Sequence, residues 1–251
     1  MTIKITIEYF GKNYSGWQRQ KNAVSVQAVL EDKLSVLMQE KVTLIGSGRT
    51  DAGVHAEGQT ASFIIQKDFP AEKLACAVNT MLPPDIRVRA AETVKDGFHA
   101  QYSAKLKTYR YSLYIDRIAH PIKDLTAAQI PYNEELLDFL LMEIVAKDFL
   151  GTHDFVAFRS TGSDKNRVVP KTTVRTITRA SIEKNGQDIV FTVTGNGFLY
   201  NMVRIMAGTL VWIGLGKLPP DAIKQALLTG ERIKAGKTFP AHGLCLVGVE
   251  Y

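Results

Sequence analysis

The chain has 251 residues with a net charge of +6, and its 45% hydrophobic and 22% charged residues are ordinary for a globular protein burying one large core or two smaller ones. No apolar run reaches bilayer length, and Met1-Thr2-Ile3-Lys4-Ile5 opens a polar-alternating segment without a signal-peptide core, so a cytoplasmic protein is expected rather than a membrane-embedded or secreted one. Its two cysteines, Cys76 and Cys245, are far apart among apolar neighbours, which argues against a disulfide framework and reads as two reduced core thiols.

Ile3, Ile5, Ile7 and Tyr9 alternate with Lys4, Thr6 and Glu8, the period of a half-buried strand. Turn residues from Phe10 to Gly16 break the pattern and expose Trp17-Gln18-Arg19-Gln20-Lys21, where aromatic and basic side chains sit together. Ser25 is a candidate N-cap for a helix whose apolar face is Val26, Val29, Leu30, Leu34 and Leu37. Two strands, Val42–Ile45 and Thr60–Ile65, then flank a glycine-rich loop. Pro70 opens a second helix with Leu74, Val78 and Met81 on one face, Pro83-Pro84 stops it, and Ile86–Ala90 closes the set as a strand.

The same order then repeats. Tyr109, Tyr111, Leu113 and Ile115 alternate along a strand; Leu136, Leu137, Leu140, Leu141, Ile144 and Val145 make an amphipathic helix. Thr173–Glu183 and Asp188–Thr194 form a hairpin around Asn185-Gly186. Met202–Ile213 is an apolar helix, Pro219-Pro220-Asp221 opens a short one, and Leu244–Tyr251 is a last apolar strand. Two successive β-α-β-β-α-β units describe an α/β (α+β) fold of two ferredoxin-like, RRM-like domains, 1–104 and 105–251.

The loop Gly46-Ser47-Gly48-Arg49-Thr50-Asp51-Ala52-Gly53-Val54-His55 spends three glycines on presenting one carboxylate and one guanidinium. Residue types alone leave open a plain Asp-Gly turn beside a functional site. A P-loop is excluded because Val54-His55 stands where Lys-Ser/Thr is needed, and His55 has no second ligand at metal-binding spacing. The stretch from Arg159 to Arg179 carries Arg159, Lys165, Arg167, Lys171, Arg175 and Arg179 against one acid, Asp164. That charge is either a solvated loop or a polyanion contact; the clustered aromatics elsewhere favour nucleic acid.

Gly48–Ala56 resembles the signature of the tRNA pseudouridine synthase A family. The likeness continues in the same order through Tyr14–Gln20, Asn79–Asp85, Phe98-His99-Ala100, Lys107–Tyr111, His153-Asp154-Phe155, Phe198–Arg204 and His242-Gly243-Leu244. It implies two ferredoxin-like domains whose antiparallel sheets join around a central basic cleft. It also implies a cofactor-free, metal-free isomerase that turns uridine into pseudouridine in the anticodon stem-loop of tRNA and works as a homodimer. Carried over residue by residue, Asp51 matches the catalytic aspartate and Arg49 the arginine that keeps the target base flipped. Tyr109 matches the tyrosine packing on that base, Arg204 the basic partner of the aspartate, and Leu244 a substrate-pocket residue. Phe98, His99, Ala100, Gln101 and Tyr102 match an RNA-contacting segment; Arg159, Lys165, Arg167 and Lys171 are assigned to RNA binding from the charge of their run. Without the resemblance, Tyr109 reads as a core aromatic on an alternating strand, and Arg204 is a helix arginine that Met202, Val203, Ile205 and Met206 on both sides place in a buried rather than a surface position. His99, His153 and His242 read as hydrogen-bonded structural residues.

Three positions depart from the family pattern: Gln101 stands for a usual arginine, Phe10 for an aspartate, and Phe239 for a small residue. They leave room for a non-catalytic RNA-binding protein of the same fold or a synthase with altered targets. The intact loop argues for catalysis, since a binder has no need of Asp51.

Overall fold

The computed structural model describes residues 1–160 and 172–251. In chain order the strands and longer helices are β1 Thr2–Tyr9, α1 Val26–Met38, β2 Ile45–Gly46, β3 His55–Ile64, α2 Ala71–Asn79, β4 Ile86–Val94, β5 Leu106–Ile115 and β6 Ala128–Ile130. They continue with α3 Phe139–Ala146, β7 Gly151–Asp154, β8 Val174–Asn185, β9 Asp188–Gly195, α4 Met202–Gly214, α5 Ala222–Thr229 and β10 Leu244–Glu250. The chain divides into two units, Met1–Lys107 with Cys245–Tyr251, and Thr108–Leu244. The mixed α+β class is as expected; the last strand, which chain order assigns to the second repeat, lies mostly in the first unit. Among the described residues no helix is long and apolar enough to cross a membrane.

In the first unit β1 lies between β3 and β4, antiparallel to both, with Ile5 opposite Ala61 and Ala91. Ile3, Ile5 and Ile7 are fully buried. Along one edge β3 serves two neighbours: β2 pairs antiparallel with its C-terminal part at Ser62 and Ala61, and β10 runs parallel to its N-terminal part at His55 and Ala56. The chain from Ser47 to Val54 leaves the sheet where β2 stops. Ser25 caps α1, its side chain accepting from Ala28 N at 3.3 Å, and Leu30 and Leu34 fasten the helix to the core. Two expectations are corrected. Trp17 is 1% exposed, its indole lying across Gly46 rather than presented to a partner, and Cys76 stands on the exposed side of α2 instead of in the core.

In the second unit the sheet runs β5-β9-β8-β7, with β6 parallel to β5. The hairpin between β8 and β9 closes with Asn185 opposite Asp188, and Gly186 takes φ +56 in the turn. Almost every residue of α4 is buried. Gly214 lets it approach α3, since a Cβ there would stand 2.7 Å from Met142 Cγ, and Gly208 admits the carbonyl of Lys237, 2.0 Å from where its Cβ would be. The helix expected over 136–145 starts only at Phe139, with Asp138 capping Leu141 N at 2.9 Å. Its apolar residues do not share one buried face: Leu137, Met142 and Val145 are inside, while Leu136, Leu140 and Ile144 are 60%, 66% and 56% exposed.

Candidate functional site

The loop between β2 and β3 is held by its backbone. Ser47 N donates to Thr60 O at 2.7 Å, and Lys107 Nζ donates to Ser47 O at 2.6 Å. Gln59, fully buried on β3, accepts from Ser47 Oγ at 2.6 Å and from Thr60 N, and its Nε2 donates to Gly48 O. Thr50 O accepts from Trp17 N, Gly53 N donates to Tyr14 O, and Val54 N donates to Asp51 O. Thr50 Oγ1 meets the Tyr9 hydroxyl at 2.7 Å. These bonds satisfy most of a loop that has no ladder of its own. Gly16, at φ +87, is required for the close approach, because a Cβ there would fall 2.4 Å from Thr50 O.

On this frame Thr50 is buried, Asp51 half-buried and Arg49 exposed, with Arg49 Nε donating to Gln18 Oε1 at 3.2 Å. His55 leaves no free imidazole for acid-base work on its inner side: Nδ1 accepts from Gly11 N at 2.9 Å and the ring stacks on Phe10, centroids 4.6 Å apart. The departure at Phe10 is thus absorbed as packing behind the loop. Two other stretches that carry the family likeness serve as braces. Tyr14 Oη donates to Asp85 Oδ1 at 2.6 Å, and burial, with that bond second, raises the phenol far above its ordinary pKa.

Segment 98–102 belongs to the same unit. Ala100 is buried, its N–H donating to Ser62 Oγ on β3. His99 Nδ1 accepts from the backbone N–H of Gln101 and Tyr102, and its ring stacks on Tyr102 at 4.2 Å. Tyr102, 81% exposed, and Gln101 therefore project from a rigid turn. His99 and His153, the latter bonded to Leu150 O at 2.8 Å, are both hydrogen-bonded within the fold.

The second unit holds Tyr109, Arg204, Leu244 and Arg159. Tyr109 is buried, edge-on to Phe198 at 5.1 Å. Leu244 is buried and Arg159 half-buried. Arg204 lies in the first turn of α4, where the helix dipole disfavours a cation. Its placement is enforced: Nε donates to Phe239 O and Nη1 to Asn201 Oδ1, both at 2.7 Å. Asn201 itself takes φ +60 and ties back to Ser160 Oγ at 3.1 Å. Phe239, the third departure, buries its ring near Tyr111 while its backbone orients Arg204. A guanidinium fixed against the local dipole is suited to meeting an anion.

Of the expected site residues, Arg49, Asp51 and Phe98–Tyr102 thus fall in one unit and Tyr109, Arg159, Arg204 and Leu244 in the other. Lys165, Arg167 and Lys171 lie outside the described residues. Sequence reasoning missed Gln59, Lys107 and the brace Tyr14–Asp85. A glutamine amid the small residues of Gln59-Thr60-Ala61-Ser62 was the available signal for the first, since a polar side chain in a strand interior needs partners.

A profile of the family described as tRNA pseudouridine synthase matches residues 5–103 and 145–251. Proteins named tRNA pseudouridine synthase A from Acetivibrio thermocellus, Thermoanaerobacter sp. and Geotalea daltonii are 46%, 45% and 43% identical to this chain over 249 residues, covering 99% of it and 99% of each relative.

Proposed function

This chain belongs to the tRNA pseudouridine synthase family, isomerases of uridine in tRNA, and from that premise we propose that Asp51 is its nucleophile. The target uridine leaves the base stack so that the enzyme can reach it. Asp51 attacks the flipped nucleotide as the bond from N1 to the sugar breaks, the uracil turns and rejoins through C5 with release of the carboxylate, and C5 loses a proton while N1 gains one, so that the product is an isomer of the substrate. Arg49 fills the vacated space with a planar cation. Tyr109, which packs on the target base, Leu244 and Arg204 are the other substrate-binding residues of this reading. No cofactor is required, because the leaving uracil is itself the group that returns.

The observation that carries this reading is the locked loop around a half-buried carboxylate, with Ser47, Gly48, Thr50 and Asp51 all bonded through their carbonyls. A loop fixed in this way presents its acid without having to be ordered at the moment of reaction. The RNA is gripped by Phe98, His99, Gln101 and Tyr102, held in place by the buried Ala100, and by Arg159, Lys165, Arg167 and Lys171, and the target lies in the anticodon stem-loop of a cytoplasmic tRNA. Asp51→Asn keeps the shape and removes the charge; turnover should fall by roughly 10³-fold or more while tRNA affinity stays within a few-fold. Tritium release from C5-labelled uridine in a tRNA transcript, with binding followed in parallel, decides it. Turnover at a substantial fraction of wild type would overturn the assignment.

The enzyme works as a homodimer in this reading, and exposed apolar side chains support it: Leu140 and Ile144 lie one turn apart on α3, and Leu136 is exposed in the turn that precedes the helix. Sedimentation at micromolar concentration should show a dimer, and Leu140→Glu should return it to monomer. A wild-type chain sedimenting as a monomer would sink the proposal.

A further inference from the structure

Two polar side chains stand on the buried face of α1 among Val26, Leu30 and Leu34: Gln27 is 6% exposed and Glu31, one turn further, 7%. A carboxylate set there must be met by donors, and this one is. Glu31 Oε1 accepts from Leu44 N and from Gln27 Nε2, both at 2.9 Å, and Oε2 accepts from Arg19 Nε at 2.6 Å. Gln27 touches the same two segments. Its Nε2 donates to Leu44 O at 3.0 Å, its Oε1 accepts from Arg19 N at 3.0 Å, and its backbone N–H donates to Trp17 O. The rest of the Arg19 guanidinium is bound to α1 as well, with Nη2 donating to Asp32 Oδ1 at 2.6 Å and to Ala28 O at 3.1 Å.

The two segments fastened at this point are those that hold the Asp51 loop. Leu44 leads directly into β2, which ends at Gly46 where the loop begins. Residues 16–19 run along the loop itself: Trp17 N donates to Thr50 O at 3.1 Å, the Trp17 indole lies against Gly46, and Gln18 Oε1 accepts from Arg49 Nε. A shift of 16–19 relative to Leu44 therefore moves Arg49 and Thr50, on either side of which Asp51 is aimed, relative to the root of their loop. We propose that Glu31 is a positioning residue for this loop, its buried carboxylate locking segment 16–19 and Leu44 in one register and so aiming Asp51 and Arg49 at the flipped uridine. This rests on the reading that Asp51 is the nucleophile. Displacing a reacting group by about an ångström costs rate, while the rest of the substrate is bound as before, so the effect belongs in the chemical step and not in affinity.

Glu31→Gln keeps the volume and an acceptor for Leu44 N but turns an amide NH2 toward Arg19. Arg19→Ala removes the same bond from its half-exposed side. In the full-length enzyme with a tRNA transcript, each should slow single-turnover pseudouridine formation at saturating tRNA by about 10-fold or more, with the Kd for tRNA within about twofold of wild type. The double variant should be no slower than the slower single one, because both break one bond, and Arg19→Lys should recover most of the rate. Thermal unfolding of each variant accompanies the kinetics, and Arg19→Ala decides alone if Glu31→Gln does not fold. A rate within about twofold of wild type in the folded variants overturns the role, as do losses that multiply in the double variant, a loss confined to Kd, or a loss that follows the folded fraction. Asp51→Asn measured alongside separates the two readings. If it is inactive while Glu31→Gln and Arg19→Ala turn over normally, the role of Glu31 alone falls; if it is active, the nucleophile falls and the positioning role with it.

Discussion

In the loop that carries Asp51, the carbonyls of Ser47, Gly48, Thr50 and Asp51 each meet a donor from Lys107, Gln59, Trp17 or Val54. At the start of α4, by contrast, Arg204 is fixed through a helix whose position comes from packing: Gly208 against the carbonyl of Lys237, Gly236 against Gly208, and Gly214 against Met142. One region immobilises a carboxylate with hydrogen bonds, the other a guanidinium with close-packed backbone. The difference follows from length. A loop of eight residues has no apolar face to bury, so its backbone groups must be satisfied one at a time. A thirteen-residue apolar helix is located by its contacts and needs hydrogen bonds only for the side chain it aims.

That contrast can be broken at several levels. Arg204→Ala deletes the aimed cation while leaving α4 packed, so the chemical step should slow by roughly 10²-fold with little change in melting temperature, read from single-turnover rates. Gly16→Ala and Gly208→Ala sharpen it, because each inserts one methyl against a carbonyl at a cost of about 1–3 kcal/mol. The Gly16 variant should lose rate out of proportion to stability, since Thr50 is displaced next to Asp51; the Gly208 variant should lose thermal stability first. Equal effects on both measurements in the two variants would erase the distinction between them. The smallest change is Gln18→Ala, which removes an exposed bond to Arg49 and should alter the rate by less than about fivefold, as expected for a hydrogen bond worth near 1 kcal/mol.

Local chemistry was readable from residues. The alternation of Ile3, Ile5 and Ile7, the Ser25 cap and the hairpin at Asn185-Gly186 all depend on neighbours within a few positions, and the structure has them where the pattern puts them; of the two strands expected beside the loop, the first is only Ile45–Gly46 and the second starts already at His55. The Asp51 loop stood out for the same reason. Asp51 and Arg49 share one short stretch, and the glycines that permit its path are adjacent to them in the chain.

What only the tertiary structure decided is what covers each face. Periodicity marks Leu136, Leu140 and Ile144 as apolar but cannot say that they stand exposed among the described residues, and it marks Trp17 as aromatic among basic residues without saying that Gly46 offers it a berth. Cys76 looked like core because its neighbours were apolar, yet a helix turns it outward. The pairing of β10 with β3, the burial of Gln59 and the reach of Tyr251 to Ala100 join residues more than a hundred positions apart or set polar groups inside a strand. Such contacts come from chain closure and from satisfying buried donors and acceptors, conditions met by the whole fold and written in no single stretch of it.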